Sequence, residues 1–233
     1  MKILVMGDIH GRTWWKDIIE LEKPDKVIFL GDYVSTHDEI TGEEQFNNLV
    51  DIMDYKATNP DTTIMLRGNH DMQHLGYSWA ECSGFDDYVY TYMSSYEFKN
   101  DFLNKTTWIH EEDIDGEKYI FSHAGVSKTW LDYSNIKELN KINNFEPCER
   151  FGFSPSVYSD YYGTSPTQPC TWIRPQTLIE YAIEGYNQVV GHTPVKYIFK
   201  AKMLDGKDLW LCDNMKDKEY LIIENNKFIT KKL

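Results

Sequence analysis

The stretch "TTIMLRGNHD" (Thr62–Asp71) decides how this chain is read. Its first half is β-branched and apolar, and Ile64-Met65-Leu66 reads as a buried strand that leaves its sheet at Gly68. Its second half delivers an Asn, a His and an Asp in immediate succession. A plain turn accounts for Gly-Asn, because both residues tolerate unusual backbone angles. It does not account for the recurrence of a similar arrangement elsewhere. "GDIHG" (Gly7–Gly11), "GDYVS" (Gly31–Ser35), "SHAG" (Ser122–Gly125) and "GHTP" (Gly191–Pro194) each follow an apolar run, and each places Asp or His where that run ends.

The surroundings give these exits a common setting. "KILVMG" (Lys2–Gly7) and "KVIFLG" (Lys26–Gly31) read as buried strands. "TWWKDIIELEK" (Thr13–Lys23) between them has helical spacing in Trp15, Ile18, Ile19 and Glu22, with Pro24 just beyond. That is a β-α-β unit, and it predicts an α/β domain. A second helix is expected over Thr41–Ala57, with Phe46, Leu49, Val50 and Met53 on one face. Further strands are expected at Glu117–His123 and Asn187–His192, and two or three more in "DLWLCD" and "EYLIIENNKFIT". Ligands of α/β sheets bind outside the carboxyl ends of the strands, so several exits would converge on one spot. Singly, each motif is as well explained by a turn or a hydrogen-bonded core histidine. As an ordered set they are not: of seven histidines, His10, His70, His123 and His192 stand in these segments and His37 lies beside one.

Bulk properties narrow the function. The 233 residues, 41% hydrophobic and 15% aromatic, suffice for one packed domain over 1–233. Lid-like insertions are expected at about 72–107 and 143–175, where Tyr, Ser, Asp, Gly and Pro crowd together. The net charge of −13 argues against extended nucleic-acid binding and is compatible with divalent cations. The apolar N-terminal run is too short for a membrane span, and no membrane association is expected. Cys82, Cys148, Cys170 and Cys212 form no CxxC pair, and a reducing cytoplasm is the simplest compartment.

Asp, Asn and His without thiolate form a mixed nitrogen and oxygen donor set that suits Mn²⁺ foremost, with Fe, Zn²⁺ or Ni²⁺ also compatible. A carboxylate that bridges two such ions lets them clamp both the attacking and the leaving oxygen of a phosphoryl transfer. In the order GDxHG, GD, GNH, H, GH the chain resembles the calcineurin-like metallophosphoesterases. "GDIHG" and "GHTP" resemble the phosphoprotein phosphatase branch, with its bacteriophage-type serine/threonine phosphatases and diadenosine tetraphosphatases. The resemblance implies an α/β fold of two mixed β-sheets packed as a sandwich and flanked by helices. The strand pattern alone fits a single doubly wound sheet equally well. It also implies two divalent metal ions: Asp8 and His10 on the first, Asp32 bridging, and Asn69, His123 and His192 on the second. His70 would be the general acid, with Asp71 a partner for its imidazole.

The second motif departs from that family. "GDYVSTHDE" stands where GDxVDRG is usual, so Ser35 replaces the Asp that orients the general-acid His, and Thr36 replaces the phosphate-binding Arg. A phosphate clamp is therefore expected from Arg174 or Arg12, with Arg67 a third candidate or a structural residue. Tyr158, Tyr161, Tyr162 and Trp172 either pack an irregular lid or stack on a nucleobase. Trp14 is expected to rim the pocket. The leading expectation is a phosphomonoesterase in which a metal-bound hydroxide attacks phosphoserine, phosphothreonine or a small phosphorylated molecule. A nucleotide hydrolase or phosphodiesterase, for example on dinucleoside polyphosphates, is the alternative, and an inactive binding scaffold the third.

Overall fold

The computed structural model describes residues 1–153 and 162–233. Two five-stranded mixed sheets form the molecule. In the first sheet, β1 (Lys2–Met6), β2 (Lys26–Phe29) and β3 (Thr63–Met65) run parallel, and β9 (Glu219–Glu224) and β10 (Lys227–Lys232) close one edge antiparallel. In the second, β5 (Glu117–Ser122), β6 (Asn187–Val190) and β8 (Asp208–Leu211) run parallel. Here β4 (Ile109–Ile114) and β7 (Phe199–Lys202) are the antiparallel edges. The alternation of side chains along each strand then sets the layers. Ile3, Val5, Ile28, Leu30, Leu221 and Ile223 of the first sheet meet Tyr119, Phe121 and Val189 of the second in one core. The alternate residues Leu4, Met6, Val27 and Phe29 face helices instead. This is the two-sheet sandwich, not the single doubly wound sheet.

Helix α1 (Trp14–Glu22) follows the expected pattern, burying Trp15, Ile18 and Glu22. The Glu22 carboxylate is the acceptor for Tyr220 Oη at 2.8 Å and for Lys231 Nζ at 2.9 Å, which ties the helix end to the antiparallel edge. Helix α2 (Gly42–Thr58) starts in a capping box, in which Thr41 Oγ1 accepts from the Glu44 N–H and the Glu44 carboxylate from the Thr41 N–H. Its buried face matches the expected one at Leu49 and Met53 and is otherwise shifted. Gln45, Asn48, Leu49, Ile52 and Met53 are buried, whereas Phe46 and Val50 are only partly so. The two amides are buried because they brace loops. Gln45 Oε1 accepts from the Ser35 N–H at 2.7 Å. Asn48 accepts from Trp15 Nε1 at 2.9 Å and donates to Arg12 O at 3.1 Å.

The segment 72–107 is not the irregular stretch its composition suggested. It holds the end of α3 (Asn69–His74), then α4 (Asp87–Met93) and α5 (Tyr96–Lys105), capped by Asp86 and Ser95. Its helical anchors, Val89, Met93 and Phe102, belong to the main core. Within 143–175, Phe151 stacks on Trp108 at 3.7 Å between ring centroids, and α6 (Pro175–Tyr181) begins at its end. Among the described residues no helix is long and apolar enough to cross a membrane.

Candidate metal centre

Three parallel strands of each sheet end on the same side, and their exits form one cavity of about 820 Å³. Asp8 and His10 follow β1, Asp32 follows β2, and Asn69 and His70 follow β3; His123 follows β5 and His192 follows β6. Ligand atoms of Asp8, His10 and Asp32 lie within 4.8 Å of one another, and so do those of Asp32, His123 and His192. Asp32 belongs to both triads. Asn69 joins the second, its Oδ1 3.0 Å from His123 Nε2.

The glycines of the motifs are required by these carboxylates. A Cβ on Gly68 would lie 2.0 Å from Asp32 Oδ1, and one on Gly191 would lie 2.2 Å from Asp8 Oδ1. Only bare backbone lets each carboxylate reach the next N–H: Asp32 Oδ1 accepts from His70 N at 2.9 Å, and Asp8 Oδ1 from His192 N at 2.9 Å. The exits are also strained. His10, Asp32 and His192 all have positive φ, at 46°, 50° and 61°, outside the usual range for residues with a side chain.

Each imidazole has one nitrogen engaged by a main-chain carbonyl. His10 Nδ1 lies 2.9 Å from Val34 O, His123 Nδ1 2.9 Å from Leu30 O, and His192 Nε2 3.2 Å from Trp172 O. A carbonyl only accepts, so each engaged nitrogen carries a proton, and the other nitrogen is the one that would face a cation, in His123 after losing the second proton it shares with Asp32. The charges agree. Burial and the negative Asp213 raise the Asp8 pKa well above the ordinary carboxyl range. Burial alone would lower the pKa of His123, but Asp32 and Asp8 outweigh it and raise it to about 10. Buried carboxylates thus crowd together, and a proton on His123, with Nε2 3.2 Å from Asp32 Oδ2, offsets part of their charge. A cleft of this kind favours divalent cations. The residues present fit two of them: Asp8, His10 and Asp32 would hold one, and Asp32, Asn69, His123 and His192 the other.

Around this floor the expected residues separate. His70 lines the cavity, with Nε2 3.9 Å from Asp32 Oδ2, and burial depresses its pKa to about 4 against the attraction of Asp32. Asp71 is not its partner. The Asp71 carboxylate accepts from the N–H groups of Asp32, Tyr33 and Gly68 at 2.8–2.9 Å, so it shapes the second motif's loop. His70 Nδ1 instead meets Ser35 Oγ at 2.7 Å. Arg12 and Arg174 both line the cavity. The first is paired through Nε and Nη2 with Asp38, and the second reaches Thr193 Oγ1 at 3.2 Å. Arg67 does not line it. Its guanidinium donates to Thr106 Oγ1, Thr106 O and Leu103 O and lies over the Trp108 ring, so its role is structural. Trp14 lies outside this cavity as well, under Lys218. Trp172 lines it but is buried edge-on against His192, with ring centroids 5.8 Å apart. Tyr162 is exposed, and Tyr158 and Tyr161 lie outside the described residues.

Asp213 and Lys216 are lining residues that the sequence reading passed over. Asp213 leaves β8 as the motif residues leave the other parallel strands, and burial and Asp32 raise its pKa to about 6. "LWLCD" carries no glycine at the exit, so the glycine rule passed over it. The glycine is supplied across the sheets, since a Cβ on Gly7 would lie 2.3 Å from Cys212 O. Lys216 reaches the cavity from the turn that follows and pairs with Asp38 at 3.2 Å.

A two-sheet sandwich with a carboxylate–imidazole cluster at its parallel strand ends defines an α/β scaffold built around a candidate metal site. Residues 1–196 match the calcineurin-like phosphoesterase family, and the chain belongs to it. That family is one of metal-dependent phosphoesterases. It is 23% identical over 236 residues to the serine/threonine-protein phosphatase 2B catalytic subunit A2 of Saccharomyces cerevisiae, covering 94% of this chain and 33% of that protein. A Caenorhabditis elegans serine/threonine-protein phosphatase is 29% identical over 150 residues, 61% of this chain and 29% of its own length. The chain thus spans about a third of the length of these curated relatives. Among solved structures, a cold-active protein-tyrosine phosphatase of a psychrophilic Shewanella shares the fold with a TM-score of 0.61 at 18% identity, over 98% of this chain and 77% of that one.

Proposed function

We propose that this chain hydrolyses phosphate monoesters, on phosphoserine or phosphothreonine or on small phosphorylated molecules, with two divalent cations, Mn²⁺ foremost. The observation that carries this reading is the pair of triads sharing Asp32, the arrangement a two-ion phosphoryl transfer requires. When bound, the cations would polarise the phosphoryl group and lower the pKa of a water. The protein's own residues do the rest. Arg12 and Arg174 face the cavity with planar guanidinium groups that match phosphoryl oxygens, and their positive charge complements a dianionic monoester. His70 presents Nε2 beside Asp32, where a proton held on that nitrogen passes to the departing oxygen. The two sheets exclude water from the floor, which strengthens each of these contacts.

A nucleotide hydrolase or phosphodiesterase is the second reading. The burial of Trp172 works against it, because the residue is largely covered and its ring packs against Phe153 and His192. The decisive test strips the protein of metal, reloads it with Mn²⁺ and compares p-nitrophenyl phosphate with bis-p-nitrophenyl phosphate. Preference for the monoester is expected, and preference for the diester overturns the reading. In His70→Ala, metal content should persist while phosphate esters with poor leaving groups slow most. An unchanged rate with an alkyl phosphate would remove His70 from its role.

A further inference from the structure

We propose that Ser35 is the positioning residue of His70. It would act as a neutral relay that fixes the ring's tautomer through the Gly84 carbonyl, and so ties His70 to the loop 81–84 at the cavity mouth. The inference rests on the reading of His70 as the proton donor, but its first readout does not.

The hydrogen-bond inventory is closed. Ser35 Oγ lies 2.6 Å from Gly84 O and 3.2 Å from Ser83 O, and both carbonyls can only accept. The single hydroxyl hydrogen therefore points to the loop, and Oγ turns its lone pairs to His70 Nδ1 at 2.7 Å. That contact requires the proton on Nδ1. Cys82 Sγ, 3.4 Å from the same nitrogen, adds a weaker acceptor, since its own hydrogen goes to Gln73 Oε1 at 2.5 Å. With Nδ1–H spent on this relay, Nε2 is the nitrogen that faces Asp32 and exchanges protons with the cavity.

The position is over-determined in a way that packing alone does not need. Ser35 is buried at φ 74°, a left-handed conformation that is unfavourable for a residue with a side chain. It is held there by Gln45 Oε1 on its N–H. Gly84 is also left-handed, at φ 73°, and a Cβ there would come 2.7 Å from Ser35 Oγ. Each side of the relay thus has its backbone set for the contact. Glu81, Cys82 and Ser83, the residues just before Gly84, line the cavity. A substrate that presses on this loop therefore acts on the orientation of His70.

The test begins with ¹⁵N NMR of the histidine rings in the metal-free chain, above the usual imidazole pKa. Wild type should show His70 protonated at Nδ1, and Ser35→Ala should shift the ring toward Nε2–H. In the Mn²⁺-loaded protein, Ser35→Ala should lower kcat about tenfold for phenyl phosphate and less for p-nitrophenyl phosphate, with KM little changed, a fraction of the usual contribution of a general acid. Ser35→Asp, which restores an acceptor, should return phenyl phosphate turnover toward wild type. Gly84→Ala should reproduce the Ser35→Ala pattern without altering Ser35. A wild-type ring protonated at Nε2, or equal losses for both substrates in Ser35→Ala, overturns the proposal. The expected tautomer in a chain that hydrolyses no monoester would overturn the phosphomonoesterase reading and leave the relay standing.

Discussion

The floor of the cavity and its rim are assembled differently. At the floor, Asp8, Asp32 and His123 are buried, and the carboxylates and imidazoles are held by main-chain groups: carboxylates on the N–H groups of His70 and His192, imidazoles on the carbonyls of Val34, Leu30 and Trp172. At the rim, Arg12, Asp38 and Lys216 hold one another, side chain to side chain, with Asp38 partly exposed and Lys216 extending into solvent. Backbone partners are fixed by the sheets and cannot rotate away, so the floor is preorganised. At the rim the Lys216–Asp38 pair faces solvent and contributes little to stability, whereas Arg12, which also pairs with Asp38, is itself buried. That division sets a fixed donor set beneath a rim whose outer contacts are free to rearrange.

Four measurements break or sharpen this contrast. The largest effect is expected for Asp32→Asn, which removes the shared carboxylate and should lower kcat by roughly 10³-fold or more, checked with p-nitrophenyl phosphate and metal content together. Retained turnover with two bound ions would disprove the shared role. Next is Gly68→Ala. The new Cβ falls on Asp32 Oδ1, and something must move. A loss of about 2 kcal/mol is expected in urea unfolding, with weakened metal binding alongside. An unchanged midpoint would mean that the floor is softer than its contacts imply.

The third concerns pH. Asp32 and Asp8 raise the pKa of His123 to about 10, so in the metal-free chain its proton contributes stability fully below the usual histidine pKa. That contribution fades as pH rises through about 10. A cation bound at His123 must displace the same proton, so apparent affinity should climb with pH by up to about tenfold per unit below that value. Isothermal titration with Mn²⁺ in buffers of different ionisation enthalpy would read the released proton, and affinity that is flat with pH would contradict the assignment. Smallest is Lys216→Ala at the rim. KM for p-nitrophenyl phosphate should rise by no more than about threefold, with kcat held, because an exposed cation is screened. A large fall in kcat would promote Lys216 from the rim to the floor.

The ligand-bearing exits were legible because strand and exit are both local. An apolar run, then Gly or a sharp turn, then a ligand-type side chain, is written within ten residues at Gly7–His10, Gly31–Asp32 and Gly68–His70. Asp213 was not legible by the same rule, since the glycine that makes room for its strand is Gly7, far away in sequence. The buried face of α2 was partly misread for a related reason. Gln45 and Asn48 are polar, and only the loops they brace, at Ser35 and Arg12, explain their burial. The stretch 72–107 looked irregular because its helices are short and depend on caps and a few core anchors more than on long periodicity.

By itself, then, the sequence determined the α/β class, the ordered donor set and its suitability for divalent cations, because these depend on residue type and short spacing. Only the tertiary structure decided between one sheet and two. It also removed Arg67 from the cavity, gave Asp71 to the backbone and placed Ser35 on His70. Those outcomes hang on which distant carbonyl, hydroxyl or carboxylate lies within hydrogen-bond reach, a matter of packing between sheets and loops that no local pattern encodes.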